Sequence, residues 1–334
     1  YFVCNKQGKH MNEHILMSYD FDGQGGGQEI FDTDVISQKL RDDKLAWIHL
    51  DLNHPDTQPW LEKEISYLDP FIVDSLTAEE TRPRITEIGE GALVILRGVN
   101  LHENADPTDM ISIRLWIDSH RIISAQKRQL KAVQDIEDKI KLGKGPKSAG
   151  QFIAFLIARL SERMEPILID LDEQVDNLEE VIMEQADKSL RGTVVNIRKQ
   201  IIMLRRYISP QRDAIMQLRG SDLDWLNNED KRLIQESYNH VTRFVEDLDA
   251  LRERAQVIKD ELINNLSDKL NKNMYTLSVI AAIFMPLGFL TGLLGINVGG
   301  IPGGGDENAF WLFSGLLVLI VSIQIYIFKK LKWF

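Results

Sequence analysis

Two long uncharged stretches near the end of the chain constrain its fold more than any other feature. Met274 to Leu294 gives 21 residues without a charged side chain, and Ala309 to Phe328 gives another 20. A helix needs roughly 20 predominantly apolar residues to cross the hydrocarbon core of a bilayer. Residues 274–334 are therefore predicted to form a transmembrane hairpin with a glycine-rich loop. A buried hairpin in a soluble core is the alternative, but core helices seldom run this long without a charge.

The charges that flank the two stretches predict their orientation, because Lys and Arg near span ends are retained on the cytoplasmic side. The connecting loop has no Lys or Arg but contains Asp306 and Glu307. The lysines lie before the first span and after the second: Lys259, Lys269, Lys272, Lys329, Lys330 and Lys332. Both termini are thus predicted to be cytoplasmic, and the loop faces the other side.

The remaining residues predict a mainly cytosolic protein with an acidic surface. Residues 1–273 carry 48 acidic and 36 basic side chains. This excess disfavours nucleic acid as a partner, since phosphate binding needs a basic face, and it is compatible with handling cations. Cys4 is the single cysteine, so neither an internal disulfide nor a multi-thiolate zinc site is expected. Met11 would serve as a start, and residues 1–14 are expected to be an N-terminal extension without a secretory signal.

Residues 15–146 are predicted to form an α/β cytoplasmic domain. Short β-branched or alternating runs bounded by turn residues predict four strands: residues 45–52, 92–97, 111–117 and 121–125. Residues 57–80 have helical spacing, and residues 118–120 predict a hairpin turn. Residues 23–27 resemble a phosphate loop superficially, but no helix beginning with Lys-Ser/Thr follows, so a surface turn is expected. The Gly and Pro content of residues 142–150 predicts a linker.

Residues 147–273 are predicted to form a helical stalk domain. Two amphipathic segments, 151–185 and 188–219, precede a helix that begins near Glu229 and reaches Leu294. At 1.5 Å per residue, that helix would be roughly 100 Å long. Its apolar residues alternate steps of three and four, a heptad seam that requires a partner helix from another subunit or from the same chain. The seam consists of Val241, Phe244, Leu248, Leu251, Ala255, Ile258 and Leu262.

Transport through such a chain would need several copies around an axis, because two spans cannot enclose an aqueous path. If the first span lines that axis, one face of a straight helix would form the wall: Gly288, Met285, Ala281, Leu277, Met274 and Leu270. A supercoiled seam would pass through Ser278 and Asn271 instead of Leu277 and Leu270. Either wall is mostly apolar, which suits a gate that closes by dewetting. Ordinary helix packing by small residues and Met is the alternative.

The loop after the first span predicts an ion entrance. Gly295 can end the helix in a left-handed conformation and free its last carbonyls, while Asn297 adds an amide oxygen beyond Ile296. Repeated around an axis, these groups would make a ring of neutral oxygens, which suits a hydrated divalent cation. Asn297 is the candidate metal ligand. Asp306 and Glu307 would form an outer acidic rim that raises the local cation concentration.

At these residues the chain resembles the CorA family of divalent-cation transporters, whose signature is Gly-Met-Asn after the first of two C-terminal spans. Here the signature reads Gly295-Ile296-Asn297, and residues 283–297 are similar to the family's pore helix. Three other segments resemble the zinc-transporting ZntB branch: residues 298–305, Thr81-Arg-Pro-Arg84 and residues 205–212. The resemblance implies a homopentamer in a bacterial inner membrane, with a cytoplasmic funnel, long stalk helices and a central pore.

The resemblance also implies roles for individual positions. By position, the outer ring would contain Gly295 and Asn297, and the pore would contain Met285, Met274 and Asn271. The family's aromatic residue before the signature glycine is Leu294 here, and its pore threonine is Gly288. Both departures widen or depolarise the path.

Three functions are compatible with these features. The first is zinc transport, passive or proton-linked, with uptake favoured over efflux by the acidic rim. The predicted pore has no His, Cys or carboxylate, the ligands that zinc prefers, so zinc is implied by the resemblance alone. The second is a magnesium or cobalt channel gated by cytoplasmic Mg²⁺, and the third is a membrane-anchored scaffold. An enzyme is not predicted, since the chain has no nucleotide loop, metalloprotease helix or nucleophile elbow.

Partners are therefore expected to be other copies of the chain, lipid and divalent cations, with no permanently bound cofactor. In the soluble part, the nearest approach to a metal cluster is His49 and His54, with His102 beside Glu103. Without a convergent partner, each is expected to be a surface or core histidine.

Overall fold

The computed structural model describes residues 13–79, 81–185, 187–296 and 305–331. Asn297, Lys332, residues 298–304 and most of the expected N-terminal extension lie outside the described residues. The described chain divides into two compact units. The first holds residues 13–185 and 189–259, and the second holds residues 187–188 and 260–331.

The first unit combines a sheet with helices. The strands are β1 Ile15–Phe21, β2 Gly27–Glu29, β3 Ala46–Asp51, β4 Arg84–Ile88, β5 Gly91–Gly98, β6 Ile111–Ile117 and β7 Arg121–Gln126. The helices of the whole described chain are α1 Thr33–Lys39, α2 Thr57–Glu64, α3 Pro70–Thr77, α4 Lys131–Lys141, α5 Ala149–Gln185, α6 Leu190–Gly220, α7 Asn228–Gly295 and α8 Ala309–Lys330. The four predicted strands are β3, β5, β6 and β7, whereas β1, β2 and β4 were not predicted.

The seven strands form one sheet in the order β2-β1-β3-β7-β6-β5-β4. Only the β3–β7 pair is parallel among these neighbours, so Asp51 and Gln126 lie side by side where both strands end. Strand β5 is buried along nearly its whole length, because α5 and α6 contact it. A second core forms where α2 and α3 pack on the sheet, with Leu61, Ile72 and Trp116 among its buried residues. The α/β prediction is confirmed.

Both predicted turns of this unit are present. Residues 118–120 join β6 to β7, and the Asp118 carboxylate accepts hydrogen bonds from the backbone N–H groups of His120 and Arg121. Residues 23–26 lie in the turn between β1 and β2, and Gly27 begins β2. Gly25 in that turn is buried, because its carbonyl accepts a hydrogen bond of 2.6 Å from the N–H of Gly145, in the predicted linker.

Three long helices, α5, α6 and α7, occupy the residues of the predicted stalk, and the part of α7 in the first unit packs on the other two. All seven seam residues of α7 are buried within a single chain. Ion pairs flank the seam: Arg205 of α6 binds Asp249, and Arg254 binds the α5 carboxylates of Asp172 and Glu179. The preceding helices of the same chain therefore pack on this part of α7. Pro166, Pro210 and Pro286 lie inside helices rather than at their ends.

Candidate ion path

Two helices of the second unit are long and apolar enough to cross a membrane: the apolar end of α7, and α8. The most apolar window of each has a mean hydropathy of 2.2, and 6 % of the first and 0 % of the second window is buried. A hairpin in the core of a soluble fold would be mostly buried. The exposure of both helices therefore favours lipid as their surroundings.

One face of the α7 span lies against α8. Val279 is buried, and Ala282, Ile283, Leu287 and Leu290 are partly covered. The side-chain amide of Gln324 in α8 donates a hydrogen bond of 3.2 Å to the carbonyl of Ala282. This bond fixes which side of α7 faces α8.

The bond from Gln324 compensates for Pro286. In an α-helix the carbonyl of residue 282 would accept from the N–H of residue 286, but proline has no N–H. Gln324 supplies a donor for that carbonyl from the neighbouring helix. In a membrane an unpaired backbone carbonyl costs several kcal/mol, so α7 can continue through Pro286 without an orphaned acceptor.

The residues predicted to line a pore lie on the opposite face of α7. At 100° per residue, Gly288, Ala281 and Leu277 point about half a turn away from Val279. Met274 and Met285 lie beside them on one side, within about 60° of Gly288. Leu277, Met274 and Met285 are 68 %, 67 % and 73 % exposed. The structure thus brings five of the six predicted pore residues onto one face.

The sixth residue, Asn271, lies about a quarter turn from that face in a straight helix. It is exposed, as are Phe284 and Phe289, which were not predicted to line a pore. Exposure alone therefore does not distinguish the candidate face. The candidate face is distinguished by its position opposite α8, because another copy of α7 can approach on that side without displacing α8.

Four hydroxyl groups of the two spans donate hydrogen bonds within their own helices. Thr276, Ser278, Thr291 and Ser322 each donate to the carbonyl four residues earlier, at 2.8–2.9 Å. Such back-bonding leaves no hydroxyl hydrogen of these four residues unpaired in an apolar medium. The hydroxyl oxygen of Ser278 keeps lone pairs that could face a hydrated cation.

The prediction that α7 ends in a left-handed conformation at Gly295 is wrong. Gly295 is the last residue of the helix, but its φ lies outside the left-handed region, which among the described glycines is occupied by Gly23, Gly25, Gly89 and Gly143. The helical backbone continues through Gly295, and the chain bends only at Ile296. Any backbone carbonyls that are free at this end of α7 are therefore the ones that every helix C-terminus leaves unpaired.

The predicted acidic rim lies directly before α8. Asp306 and Glu307 are both exposed. The carboxylate of Asp306 accepts a hydrogen bond of 2.9 Å from the N–H of Asn308, and its carbonyl accepts from the N–H of Ala309. Asp306 thus orders the start of α8 as well as adding negative charge there. Asn297, the candidate metal ligand, lies outside the described residues.

The histidines considered as metal ligands are not gathered in one place. Among the described residues, no three His, Cys, Asp or Glu side chains are grouped so as to hold a metal ion. His102 is exposed. His49 is fully buried, and its Nδ1 lies 2.7 Å from the Ser124 hydroxyl, which also accepts a hydrogen bond from the Trp47 indole. Sequence reasoning did not identify His14, whose ring lies 5.8 Å from that of His54 between centroids.

Burial of His49 predicts a loss of stability in acid. Desolvation lowers the pKa of His49 from 6.5 to about 4. Because the folded state resists protonation, the unfolded state gains a proton first as the pH falls below 6.5, and stability declines until about pH 4. At pH 4.5 the loss should be on the order of 2 to 3 kcal/mol.

His49→Gln tests this expectation, since Gln can keep the hydrogen bond to Ser124 without titrating. The midpoint of thermal unfolding, measured in detergent between pH 7 and pH 4.5, should fall less for this variant than for the unmodified chain. His102→Gln is the matched control and should retain the full pH dependence. Equal pH dependence in all three proteins would contradict the role of His49.

Two of the segments singled out in the sequence converge on Arg97, a residue that sequence reasoning did not select. Its guanidinium donates to the carbonyls of Thr81 and Met110 and lies 4.0 Å from the centre of the Tyr207 ring. Its backbone N–H donates to Gln211 at 2.7 Å. Arg97 thus ties the segment before β4 to α6, which gives these segments a structural role in the first unit.

Comparisons with known proteins agree with this architecture. The family model described as "CorA-like Mg2+ transporter protein" matches residues 42–330. The "Divalent cation transporter CmaX" of Pseudomonas aeruginosa is 36 % identical over 323 residues, covering 96 % of each chain. The "Zinc transport protein ZntB" of Pectobacterium atrosepticum is 37 % identical over 316 residues, covering 95 % of each.

Solved structures show the same similarity. The structure of the full-length CmaX protein has a TM-score of 0.82 at 35 % identity and covers 96 % of this chain and 98 % of its own. The CorA magnesium transporter from Methanocaldococcus jannaschii has a TM-score of 0.78 at 19 % identity, covering 95 % and 98 %, and shows the fold alone. With the family match over most of its length and full-length relatives above 30 % identity, this chain belongs to the CorA family.

Proposed function

We propose that this chain moves divalent cations, with Zn²⁺ as its cargo, across the bacterial inner membrane through a pore at the axis of a homopentamer. The observation that carries the proposal is the exposed, uncharged face of α7 on the side opposite α8. Since one chain cannot enclose a path with two helices, that face needs further copies to become a wall. Relatives whose names state zinc and divalent-cation transport support the assignment.

The chemistry of the face favours a hydrated ion. Gly288, Met285, Ala281, Leu277 and Met274 offer no charged or nitrogen ligand, so a cation would pass with its water shell. Closure by dewetting of this apolar wall would stop flow without a moving plug. At the outer end, Gly295, Ile296 and Asn297 would form the entrance, with Asp306 and Glu307 concentrating cations before it.

Passive uptake is the mechanism proposed. Residues 274–295 and 309–328 contain no His, Asp, Glu, Lys or Arg that could relay a proton. A membrane potential that is negative on the cytoplasmic side would draw cations inward through an open path. Proton-linked transport is the alternative mechanism that the flux measurement distinguishes from passive uptake, and zinc efflux is the alternative direction.

A magnesium channel is the second candidate, and the pore chemistry favours it. Neutral oxygens suit Mg²⁺, which keeps several of its waters, whereas Zn²⁺ prefers nitrogen and sulfur ligands. The matching family is described as Mg²⁺ transporters. Zinc is preferred here because of the ZntB relative, which is similar over 95 % of this chain.

Flux into liposomes that contain the purified chain separates these candidates. Zn²⁺ and Mg²⁺ entry would be followed with ion-selective indicators, with and without a pH gradient, against protein-free liposomes. We expect Zn²⁺ entry that exceeds Mg²⁺ entry and is unchanged by the pH gradient. Entry of Mg²⁺ alone would establish the second candidate, and Zn²⁺ entry that requires a pH gradient would replace passive flow by proton linkage.

A further inference from the structure

Gln324 carries the one side-chain amide in the uncharged stretch of α8, residues 309–328. Polar groups within the hydrocarbon core of a bilayer are expensive to retain. The Nε2 group of Gln324 donates a hydrogen bond of 3.2 Å to the carbonyl of Ala282, whereas its Oε1 atom is buried without a hydrogen-bond partner in the part of the chain that the structure describes. Half of the amide is thus unsatisfied, so the donating half must supply something that an apolar side chain could not.

The bond lies where water cannot replace it. Ala282 comes eight residues after Met274, where the uncharged stretch of α7 begins, so its carbonyl lies about 12 Å along the span. Gln324 is itself partly covered by its surroundings. Within the hydrocarbon core, a backbone carbonyl without a partner is strongly unfavourable. The amide is therefore the donor on which this carbonyl depends.

Pro286 creates the need for this donor in two ways. It has no N–H to donate to the carbonyl of Ala282, and its ring clashes with that same carbonyl, which lies four residues earlier. The carbonyl is therefore pushed away from its own helix while it loses its usual partner. Gln324 donates to it from α8. The requirement for an amide at residue 324 thus follows from the proline at residue 286.

We propose that Gln324 is a positioning residue for the ion path, and that the path depends on it only while residue 286 is proline. This inference rests on the proposed function, because the wall that Gln324 would position is the face of α7 opposite α8. Two residues of that wall adjoin the bonded backbone: Ala281 directly precedes Ala282, and Met285 directly precedes the proline. Without the amide, α7 would have to unwind locally to pair the carbonyl, and both wall residues would be displaced.

Gln324 would act through the backbone of α7 without meeting the cation. It bonds to the side of α7 that faces α8, where Val279 is buried. The α7 helix itself separates that side from the candidate path. Loss of the amide should therefore lower the flux of every cation that the unmodified chain conducts, without changing the preference between them.

A double-mutant cycle tests this dependence, with Zn²⁺ flux into liposomes as the first readout. Gln324→Met keeps an unbranched side chain of similar length but removes the donor, and it should lower the flux about tenfold or more. Pro286→Ala returns an N–H to α7, so the carbonyl of Ala282 regains the partner that a regular α-helix provides. In the Pro286→Ala chain, Gln324→Met should change the flux by less than about twofold.

The midpoint of thermal unfolding in detergent is the second readout, and it needs no conduction. Gln324→Met should lower this midpoint by about 2 °C or more when residue 286 is proline, and it should leave the midpoint of the Pro286→Ala chain unchanged. Ser322→Ala is the matched control, because the Ser322 hydroxyl donates within its own helix, to the carbonyl of Val318. Neither readout should change in that variant.

Two results would overturn the positioning role of Gln324 and leave the proposed function intact. One is normal flux through Gln324→Met, and the other is an equal effect of Gln324→Met with proline and with alanine at residue 286. An unmodified chain that does not conduct, but whose thermal midpoint shows the expected dependence on residue 286, would instead refute the proposed function. The pairing of Gln324 with Pro286 would then stand without it.

Discussion

Replacing Asn297 by Ala is expected to abolish divalent-cation flux into liposomes. Each copy of the chain would lose the side-chain amide oxygen at the entrance, so an assembly of five would lose five ligands at once. Neutral oxygens at this position would hold the water shell of the arriving ion, and alanine offers none. We expect Zn²⁺ entry to fall to the level of protein-free liposomes, measured with the same indicator and the same amount of protein.

Asn308→Ala is the matched control for that substitution. Asn308 follows the same loop, directly before α8, and its side chain makes no capping hydrogen bond. The change in chemistry is identical, but the residue is not part of the proposed entrance, so flux should be retained. If Asn297→Ala conducts as well as Asn308→Ala, Asn297 does not belong to the ion path.

Gly288→Leu is expected to block flux by narrowing the path. Within one chain, a Cβ at Gly288 would meet nothing within 4 Å, so the substitution should not disturb the hairpin itself. In an assembly with α7 around the axis, five isobutyl groups would project into the pore at one level. A tenfold loss of flux corresponds to a barrier raised by about 1.4 kcal/mol, and we expect a larger loss than that.

Gly315→Leu in α8 controls for the added bulk. A Cβ at Gly315 also meets nothing within 4 Å, but α8 would lie away from the axis. Its flux should remain near that of the unmodified chain, while both variants should elute as the same oligomer in detergent. Normal conduction by Gly288→Leu would show that this face of α7 does not line the path. An equal loss of flux in Gly288→Leu and Gly315→Leu would also contradict that role, because added bulk away from the axis would then have the same effect.

The helical half of the chain could be predicted closely from its sequence because its patterns are long. The helix predicted over residues 229–294 is observed as Asn228–Gly295, since a seven-residue seam followed by an uncharged span leaves few alternatives. The strands were harder. Strands β2 and β4 have only 3 and 5 residues, too few for an alternating pattern to be recognised.

Strand β1 is the unpredicted strand whose absence had the largest consequence. Its burial pattern is irregular, with a bulge between Ile15 and Met17 in its pairing with β3. A bulge interrupts the period of two that identifies a strand. Without β1 there was no reason to place His14 near His54, although their ring centroids lie 5.8 Å apart. The surroundings of the proposed pore residues could not be predicted for a different reason: they depend on other copies of the chain.

The hydrogen bond from Gln324 to Ala282 has a mechanical consequence. It joins α8 to α7 near the proline, with Gln324 inside the uncharged part of α8. A rotation of α7 that turned its apolar face toward or away from an axis would have to carry α8 with it. The work of that rotation would then be done partly against the surrounding acyl chains. Bilayer thickness and lateral pressure should therefore shift the balance between conducting and closed states, even where no lipid binds a specific site.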